Sequence, residues 1–278
     1  MPELPEVETI RRQLAPAIEG LRIDQFEVLD ARWCAPLAPE QLADAVVGRV
    51  VERLARHGKY LDWQLGDELH LLMHLRMTGS LLLDPREPPL YARLRVEFNN
   101  RKNLWFSDPR RFGTGQLIAG EAELERFLAA RLGLEPFHER FDGRLLRELA
   151  RGRRGPIKSF LLDQRNIAGV GNIYADEALF RARVHPRRAA GSLRPAQYEL
   201  LADAIVAVLS AGIDSQGASI DDFRHLDGAR GSFQDRFLVH RREGEPCPVC
   251  GRVIEKIVVG GRGTYVCRDC QPVPRVRR

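Results

Sequence analysis

The stretch CPVCGRVIEKIVVGGRGTYVCRDC, residues 247–270, fixes the C-terminal end of the fold. Its two Cys-x2-Cys pairs, Cys247/Cys250 and Cys267/Cys270, are separated by sixteen residues. Each pair sets two thiolates on one tight knuckle, and two knuckles supply the four soft ligands of a tetrahedral zinc site. Between them, residues 252–259 and 264–266 are expected as two strands joined by Gly260-Gly-Arg-Gly263, with Arg262 at the tip. The expected cofactor is one Zn2+. Four cysteines leave no open coordination position, so its role is structural. The competing readings are a redox pair or four unrelated cysteines.

Moving towards the N-terminus, the chain is helical. Leu200, Leu201, Ala204, Ile205, Val208 and Leu209 form one apolar face of a long helix that Ser192 is expected to cap. Shorter helices are expected over 121–130, 142–151, 157–164 and 173–182, with 131–141 as a linker. Gly169-Val-Gly-Asn172 forms a turn in front of the last of these. Free N–H groups at a helix start attract anions, and glycines let a phosphate approach. An ordinary helix–helix turn would look the same; Lys158 and the basic stretch 181–188 favour the phosphate.

The first half reads as strands. Residues 21–29, 60–65 and 94–98 alternate apolar and polar side chains, the period of a half-buried strand. Residues 69–75 and 80–83 are apolar runs broken at Thr78-Gly79, and Asn99, Asn100 and Asn103 supply a turn. Many short strands without long helices between them indicate an antiparallel sandwich. One helix precedes them. Pro5 suits its first position, Glu6 and Glu8 face its dipole, Val7, Ile10 and Leu14 make its apolar stripe, and Pro16 is expected to end it.

Of 278 residues, 44% are hydrophobic and 29% charged, which excludes a disordered chain. No apolar run is read as long enough for a membrane helix, and MPELPEVETI does not resemble a signal peptide, so a cytoplasmic protein is expected. Five cysteines, four of them in the zinc motif, do not make a disulfide framework, and Cys34 is expected as a small buried residue. The net charge is +5, and the arginines cluster at 151–154, 181–188 and 275–278. A solvated surface and a phosphate-binding face both fit.

Pro2 follows the initiator Met. Removal of that Met would leave a secondary amine of pKa near 8, partly unprotonated at neutral pH. Such an amine attacks aldehyde-level carbon and gives an iminium ion, an electron sink, with Glu3 adjacent to carry protons. Taken alone, a Met-Pro start is usually chemically silent.

Together these features resemble the formamidopyrimidine-DNA glycosylase family, related to endonuclease VIII. The resemblance rests on Met1-Pro-Glu-Leu-Pro-Glu6, Gly58-Lys59-Tyr60, His74-Leu-Arg-Met-Thr-Gly79, Asp108-Pro-Arg-Arg-Phe-Gly113, Gly169-Val-Gly-Asn-Ile-Tyr-Ala-Asp-Glu177 and the zinc hairpin, and so covers essentially the whole chain. It implies an α+β fold of two domains: an N-terminal antiparallel β-sandwich with flanking helices, and a C-terminal helix–two-turn–helix domain with a four-cysteine zinc finger. The expected boundaries are 1–131 for the catalytic domain, 132–141 for a linker, 142–240 for the helical domain and 241–278 for the finger and basic tail, with DNA across the cleft.

The resemblance also implies roles. The expected partner is double-stranded DNA carrying oxidised purines or abasic sites, and the protein is expected to be a monomer. Pro2 matches the nucleophile at C1′, Glu3 the acid–base residue and Glu6 a supporting carboxylate. Lys59, Asn172 and Arg262 match residues holding phosphates around the lesion, with Lys59 and Arg262 counted with the catalytic set and His74 with the DNA contacts. Lys158 and Glu177 match further positions near the damaged nucleotide. A base inside a duplex must be flipped out to be reached. Met77, Arg110 and Phe112 match the wedge that fills the gap, although Met77 and Phe112 alone would more often be core residues. Excision followed by β- and δ-elimination is the implied reaction.

Three features depart from the family pattern: Arg76 where many relatives have glycine, Asp221 where a basic residue is frequent, and the long tail ending in Arg277-Arg278. The Ser215–Phe233 segment is expected to cover the flipped base. Two rival readings remain at this level: an endonuclease VIII-like enzyme for oxidised pyrimidines, which Leu4, Met77, Arg110 and Phe112 disfavour, and a non-catalytic zinc protein that binds damage.

Overall fold

The computed structural model describes residues 1–220 and 223–273. Asp221 and the tail arginines Arg277 and Arg278 therefore lie outside the described residues. The chain divides into two compact units, Met1–Ala130 with Gly212–Gln234, and Arg131–Ala211 with Asp235–Arg278. This differs from the boundaries expected from sequence. The segment 212–234 belongs with the N-terminal unit, and the finger does not separate from the helices.

The first unit is a sandwich of two antiparallel sheets. One has the order β1 (Ile23–Val28), β6 (Ala92–Phe98), β7 (Asn103–Ser107), β5 (Ser80–Leu83). The other has the order β2 (Arg53–His57), β3 (Tyr60–Gln64), β4 (Leu69–His74), β8 (Thr114–Ala119). Inward residues of both meet in one core. Phe26, Leu94, Val96, Phe98 and Phe106 come from the first sheet, and Leu54, Leu61, Trp63, Leu71 and Met73 from the second. Trp63 and Phe98 stack across it with ring centroids 6.3 Å apart.

Helix α1 (Leu4–Ile18) lays Val7, Ile10, Leu14 and Ile18 on this core. Pro16 does not stop it: the helix runs two residues further, and the chain turns where Glu19 N–H bonds Ala15 O at 3.0 Å. A proline in a last turn forfeits only one donor, so the break is delayed. Helix α2 (Pro39–Val46), which the sequence reading missed, buries Leu42 and Val46, and α3 (Glu121–Ala129) covers the outer face of the second sheet through Leu124. Phe223 and Leu226 join the same core, and Leu226 O accepts from Leu83 N–H at 3.1 Å, which ties 212–234 to this unit.

The second unit contains α4 (Gly143–Leu149), α5 (Ile157–Leu162), α6 (Asn172–Arg181), most of α7 (Pro195–Asp214) and the hairpin β9 (Glu255–Val259)/β10 (Arg262–Val266). Residues 131–141 are not a free linker. Gly133 N–H bonds Gln164 O at 2.8 Å, Ala168 N–H bonds Leu134 O at 3.1 Å, and Phe141 is buried. Ser192 does not cap α7, because its hydroxyl donates to Ala189 O. Arg194 occupies the capping place, with Gln197 Oε1 accepting its N–H at 3.1 Å. Leu201, Ala204, Ile205, Val208 and Leu209 are buried as expected, but Leu200 is 57% exposed. By length and composition α7 is apolar enough to cross a membrane, which the reading of apolar runs overlooked; that face is instead buried within the protein.

Candidate active site and nucleic-acid interface

The first unit gathers its candidates at three places. At the head of α1, Pro2, Glu3 and Glu6 are all buried. Glu3 is the N-cap residue, and its N–H donates to Glu6 Oε2 at 2.8 Å. The other Glu6 oxygen accepts from Ala218 N–H at 2.8 Å. Glu6 therefore clamps the backbone beside Pro2 against the 215–233 segment, and both carboxylates sit at the positive end of the helix.

The second place is the tight turn between β2 and β3, which carries Lys59, buried to 5% exposure, beside His74 at the end of β4. Burial, reinforced by Arg76 and Lys59, lowers the His74 imidazole from 6.5 to about 3. His74 is thus neutral, and its Nδ1 accepts from Arg76 N–H at 2.9 Å. That fixes the proton of the neutral ring on Nε2. Arg76 has φ +55°, in the left-handed region that glycine adopts without a steric cost.

The third place is formed by two loops that carry the wedge candidates. Asp108, fully buried, accepts from Phe112 N–H at 2.8 Å, Gly113 N–H at 2.7 Å and Arg110 N–H at 3.2 Å, and from the Thr78 hydroxyl. Gly79 and Gly113 close on the Phe106 ring so tightly that an added Cβ would fall 2.7 Å and 2.4 Å from it. The glycines of both motifs are thus required by contact. What they hold up is exposed: Met77 to 36% and Phe112 to 49%, neither one core. The Arg110 guanidinium lies 4.8 Å over the Phe112 ring.

The second unit assembles around the Gly263 carbonyl. Lys158 Nζ donates to it at 3.1 Å, to Thr264 Oγ1 at 2.8 Å and to Asp176 Oδ1 at 2.6 Å. Asn172 Nδ2 also donates to Gly263 O, at 3.1 Å. Asp176 holds His240 Nδ1 with its other oxygen at 2.9 Å. Lys158 has no exposed surface and stands as a strut beneath the hairpin. Glu177 is likewise turned inward. It accepts the N–H groups of Leu238, Val239 and His240 at 2.9–3.1 Å, and burial pushes its carboxyl up. The sequence expects both residues at the DNA; in the fold each faces a buried partner.

Gly260 and Gly261, both with positive φ, make the two-residue hairpin turn. Arg262 is therefore not the tip but the first residue of β10, paired with Val259 and exposed. The basic stretches also lie elsewhere than expected. The turn Gly169–Asn172, braced by the Gln164 side chain on Gly169 N–H and Val170 O, opens α6, whereas Arg181–Arg188 follows its other end.

The four cysteine sulfurs lie within 4.8 Å of one another, with Cys250–Cys267 at 3.4 Å and Cys247–Cys270 at 3.8 Å. Tetrahedral zinc with bonds near 2.3 Å needs sulfurs about 3.8 Å apart. Burial and the neighbouring sulfurs push the Cys270 thiol up, so a cation is needed to hold all four as thiolates. The chain holds a single structural zinc.

Sequence reasoning missed Asp108, Thr78, Asp176, His240 and Gln164 as positioning residues. The first three stand inside the quoted motifs, where a polar residue within five positions of a glycine is the available signal. His240 and Gln164 carry none.

Three family models match the chain. They are the formamidopyrimidine-DNA glycosylase N-terminal domain over residues 1–115, the formamidopyrimidine-DNA glycosylase H2TH domain over 132–224, and the zinc finger found in FPG and IleRS over 244–273. The formamidopyrimidine-DNA glycosylase of Methylococcus capsulatus is 45% identical over 273 residues, 98% of this chain and all of that one. Among solved structures, the wild-type Lactococcus lactis Fpg (MutM) in complex with N7-benzyl-Fapy-dG containing DNA aligns with a TM-score of 0.91 at 38% identity, over 98% of this chain and all of that one. A MutM in complex with carbocyclic 8-oxo-G containing DNA aligns with a TM-score of 0.91 at 39% identity, over the same shares.

Proposed function

The chain belongs to the formamidopyrimidine-DNA glycosylase family, and on that premise we propose that it excises oxidised purines from duplex DNA through its N-terminal proline and then cleaves the abasic strand. It is a DNA glycosylase of oxidised purines, as its relatives' complexes with N7-benzyl-Fapy-dG and carbocyclic 8-oxo-G support. The observation that carries the mechanism is the buried head of α1, where Glu6 braces the backbone at Glu3 from one side and the 215–233 segment from the other.

In this reading removal of Met1 frees the Pro2 secondary amine, which attacks C1′ of a flipped nucleotide. The C1′–N bond breaks and its electrons leave with the base. Glu3 protonates the sugar ring oxygen, the ring opens and the iminium forms. Loss of the C2′ proton then expels the 3′ phosphate, and a second elimination expels the 5′ phosphate. Lys59, His74, Asn172 and Arg262 hold phosphates, His74 as a neutral Nε2–H donor. Met77, Arg110 and Phe112 fill the vacated stack, with Arg110 facing the orphaned base. Zinc supplies no step; it fixes the hairpin that bears Arg262. The protein works as a monomer, in the bacterial cytoplasm.

Borohydride trapping on a duplex with 8-oxoguanine opposite cytosine tests this. The expected result is an adduct on the peptide beginning at Pro2. An adduct on any lysine, or none with binding intact, overturns the nucleophile.

A further inference from the structure

The second unit carries a cationic surface that the proposed lesion contacts do not use. Residues 149–162 and 178–198 contain no aspartate or glutamate, yet they hold Arg151, Arg153, Arg154, Arg181, Arg183, Arg187, Arg188 and Arg194. The fold joins the two stretches. Ile157 N–H bonds Arg188 O at 2.7 Å, Ala190 N–H bonds Gly155 O at 2.8 Å and Gly191 N–H bonds Arg153 O at 2.9 Å. All eight side chains are exposed except Arg188, which is half-buried. Among the described residues none of the eight is ion-paired, whereas Arg11, Arg56, Arg95 and Arg111 each hold a carboxylate.

Arg187 donates to Val258 O at 3.3 Å and Arg188 to Ser192 O at 2.9 Å, but neither carbonyl cancels a charge. Guanidinium groups without a carboxylate repel one another, and a polyanion relieves this. Arginine, more than lysine, matches phosphate with two parallel hydrogen bonds. A protein partner fits less well. Among the described residues no large apolar side chain between Phe137 and Leu200 is exposed, so the surface lacks the anchors on which protein interfaces depend. The surface is also displaced from the proposed phosphate contact of Asn172. Asn172 opens α6 and Arg181 closes it, nine residues and about 13 Å apart along the axis.

We propose that this arginine surface is a second DNA site, which holds the phosphate backbone of another duplex segment while the first carries the lesion. A two-site protein can pass from one DNA segment to the next without full release, the search behaviour that a repair enzyme among undamaged DNA needs. The inference uses the glycosylase reading only for the first duplex.

Titration of the full-length holoprotein with a short undamaged duplex separates the two. The wild type is expected to take up two duplexes, and the variant R153E/R154E/R183E only one. Protein already trapped by borohydride on a lesion duplex is expected to bind a second, differently labelled duplex, and the variant to trap equally but bind none. With about four phosphates engaged, second-site affinity should fall about a hundredfold between about 50 and about 200 mM salt. One-to-one binding by the wild type, or second-duplex binding unchanged in the variant, overturns the proposal. So does displacement of the second duplex by polyglutamate at an equal affinity that the variant also loses, because the surface would then serve an acidic protein. Failure to trap, with two-to-one binding intact, would refute the proline mechanism and leave the second site standing.

Discussion

The Asp108 carboxylate shows how a single buried side chain can set an exposed one. It accepts three N–H groups and a hydroxyl, so the loop bearing Arg110 and Phe112 and the loop bearing Met77 move as one body. Asp108→Ala leaves those donors unsatisfied and is expected to cost about 2–4 kcal/mol, with a larger loss in discrimination of the opposite base than in proline trapping. Thermal unfolding and trapping on cytosine- and adenine-opposed lesions measure the two. His74 gives a second expectation at this scale. Its folded pKa, about 3, lies below the ordinary 6.5, so the unfolded chain takes up a proton that the folded chain refuses. Its contribution to stability is whole above pH 6.5 and is lost as pH falls towards 3. The His74 ring nitrogens should show the neutral Nε2–H tautomer by NMR at about pH 5, between the folded and unfolded values; a protonated ring there contradicts the assignment. Arg76→Gly, which relieves a left-handed backbone, is expected to raise stability by about 1 kcal/mol in a denaturant titration.

At the scale of elements, α1 and the zinc hairpin are each held by charge at one point. Burial would raise the Glu8 carboxyl, but Arg11 and Arg12, with Arg56 from β2, bring it down to about 2. A depressed carboxylate stabilises the fold above its unfolded pKa of about 4.5, and the gain is lost as pH falls through about 2. Discounted for the exposed Arg12, it amounts to roughly 2 kcal/mol at neutral pH, and Glu8→Gln should remove it and flatten acid unfolding over that window. Lys158→Met strands the buried Asp176 and is expected to destabilise by about 3–5 kcal/mol. Because the hairpin also loses its strut, weaker DNA binding with a reduced salt slope should accompany it, whereas Lys158→Arg should retain part of both.

These two elements also mark what was legible in advance. The hairpin was readable because zinc fixes ligand type and spacing together, and only the place of Arg262, one residue past the Gly260-Gly261 turn, was misjudged. Strand β2, Arg-Leu-Ala-Arg-His, went unseen because three of its five residues are polar and its burial is set by α1 and Arg56, not by its own period. The buried partners of Lys158 and Glu177 were not legible, because a charge in a motif looks the same in sequence whether it faces solvent or a buried partner. The clustering of Pro2, Glu3 and Glu6 was local enough to read, but the tie from Glu6 to Ala218 spans 212 residues and leaves no periodic trace.

The chain divides into two compact units, and the zinc cysteines belong to the second. Cys247, Cys267 and Cys270 pack with Phe180, Val239 and Ile254 in a single cluster, so the metal site is continuous with the end of α6 and not an appended bead. Among the described residues, the first unit's core is built from the two sheets, α1, α2, Phe223 and Leu226, without any finger residue. Metal removal should therefore act unequally. Chelation is expected to expose Val239 and Ile254 and lower the melting of the second unit, while the sandwich keeps its own transition. Calorimetry with and without chelator, paired with tryptophan fluorescence, resolves this, since Trp33, Trp63 and Trp105 all lie in the first unit. A fluorescence transition that stays in place while a second heat-absorption peak moves down is the expected outcome. A single transition that shifts as a whole would mean the two units unfold as one cooperative body, and the zinc site would then have to be counted among the supports of the Pro2 site as well as of the Arg262 hairpin.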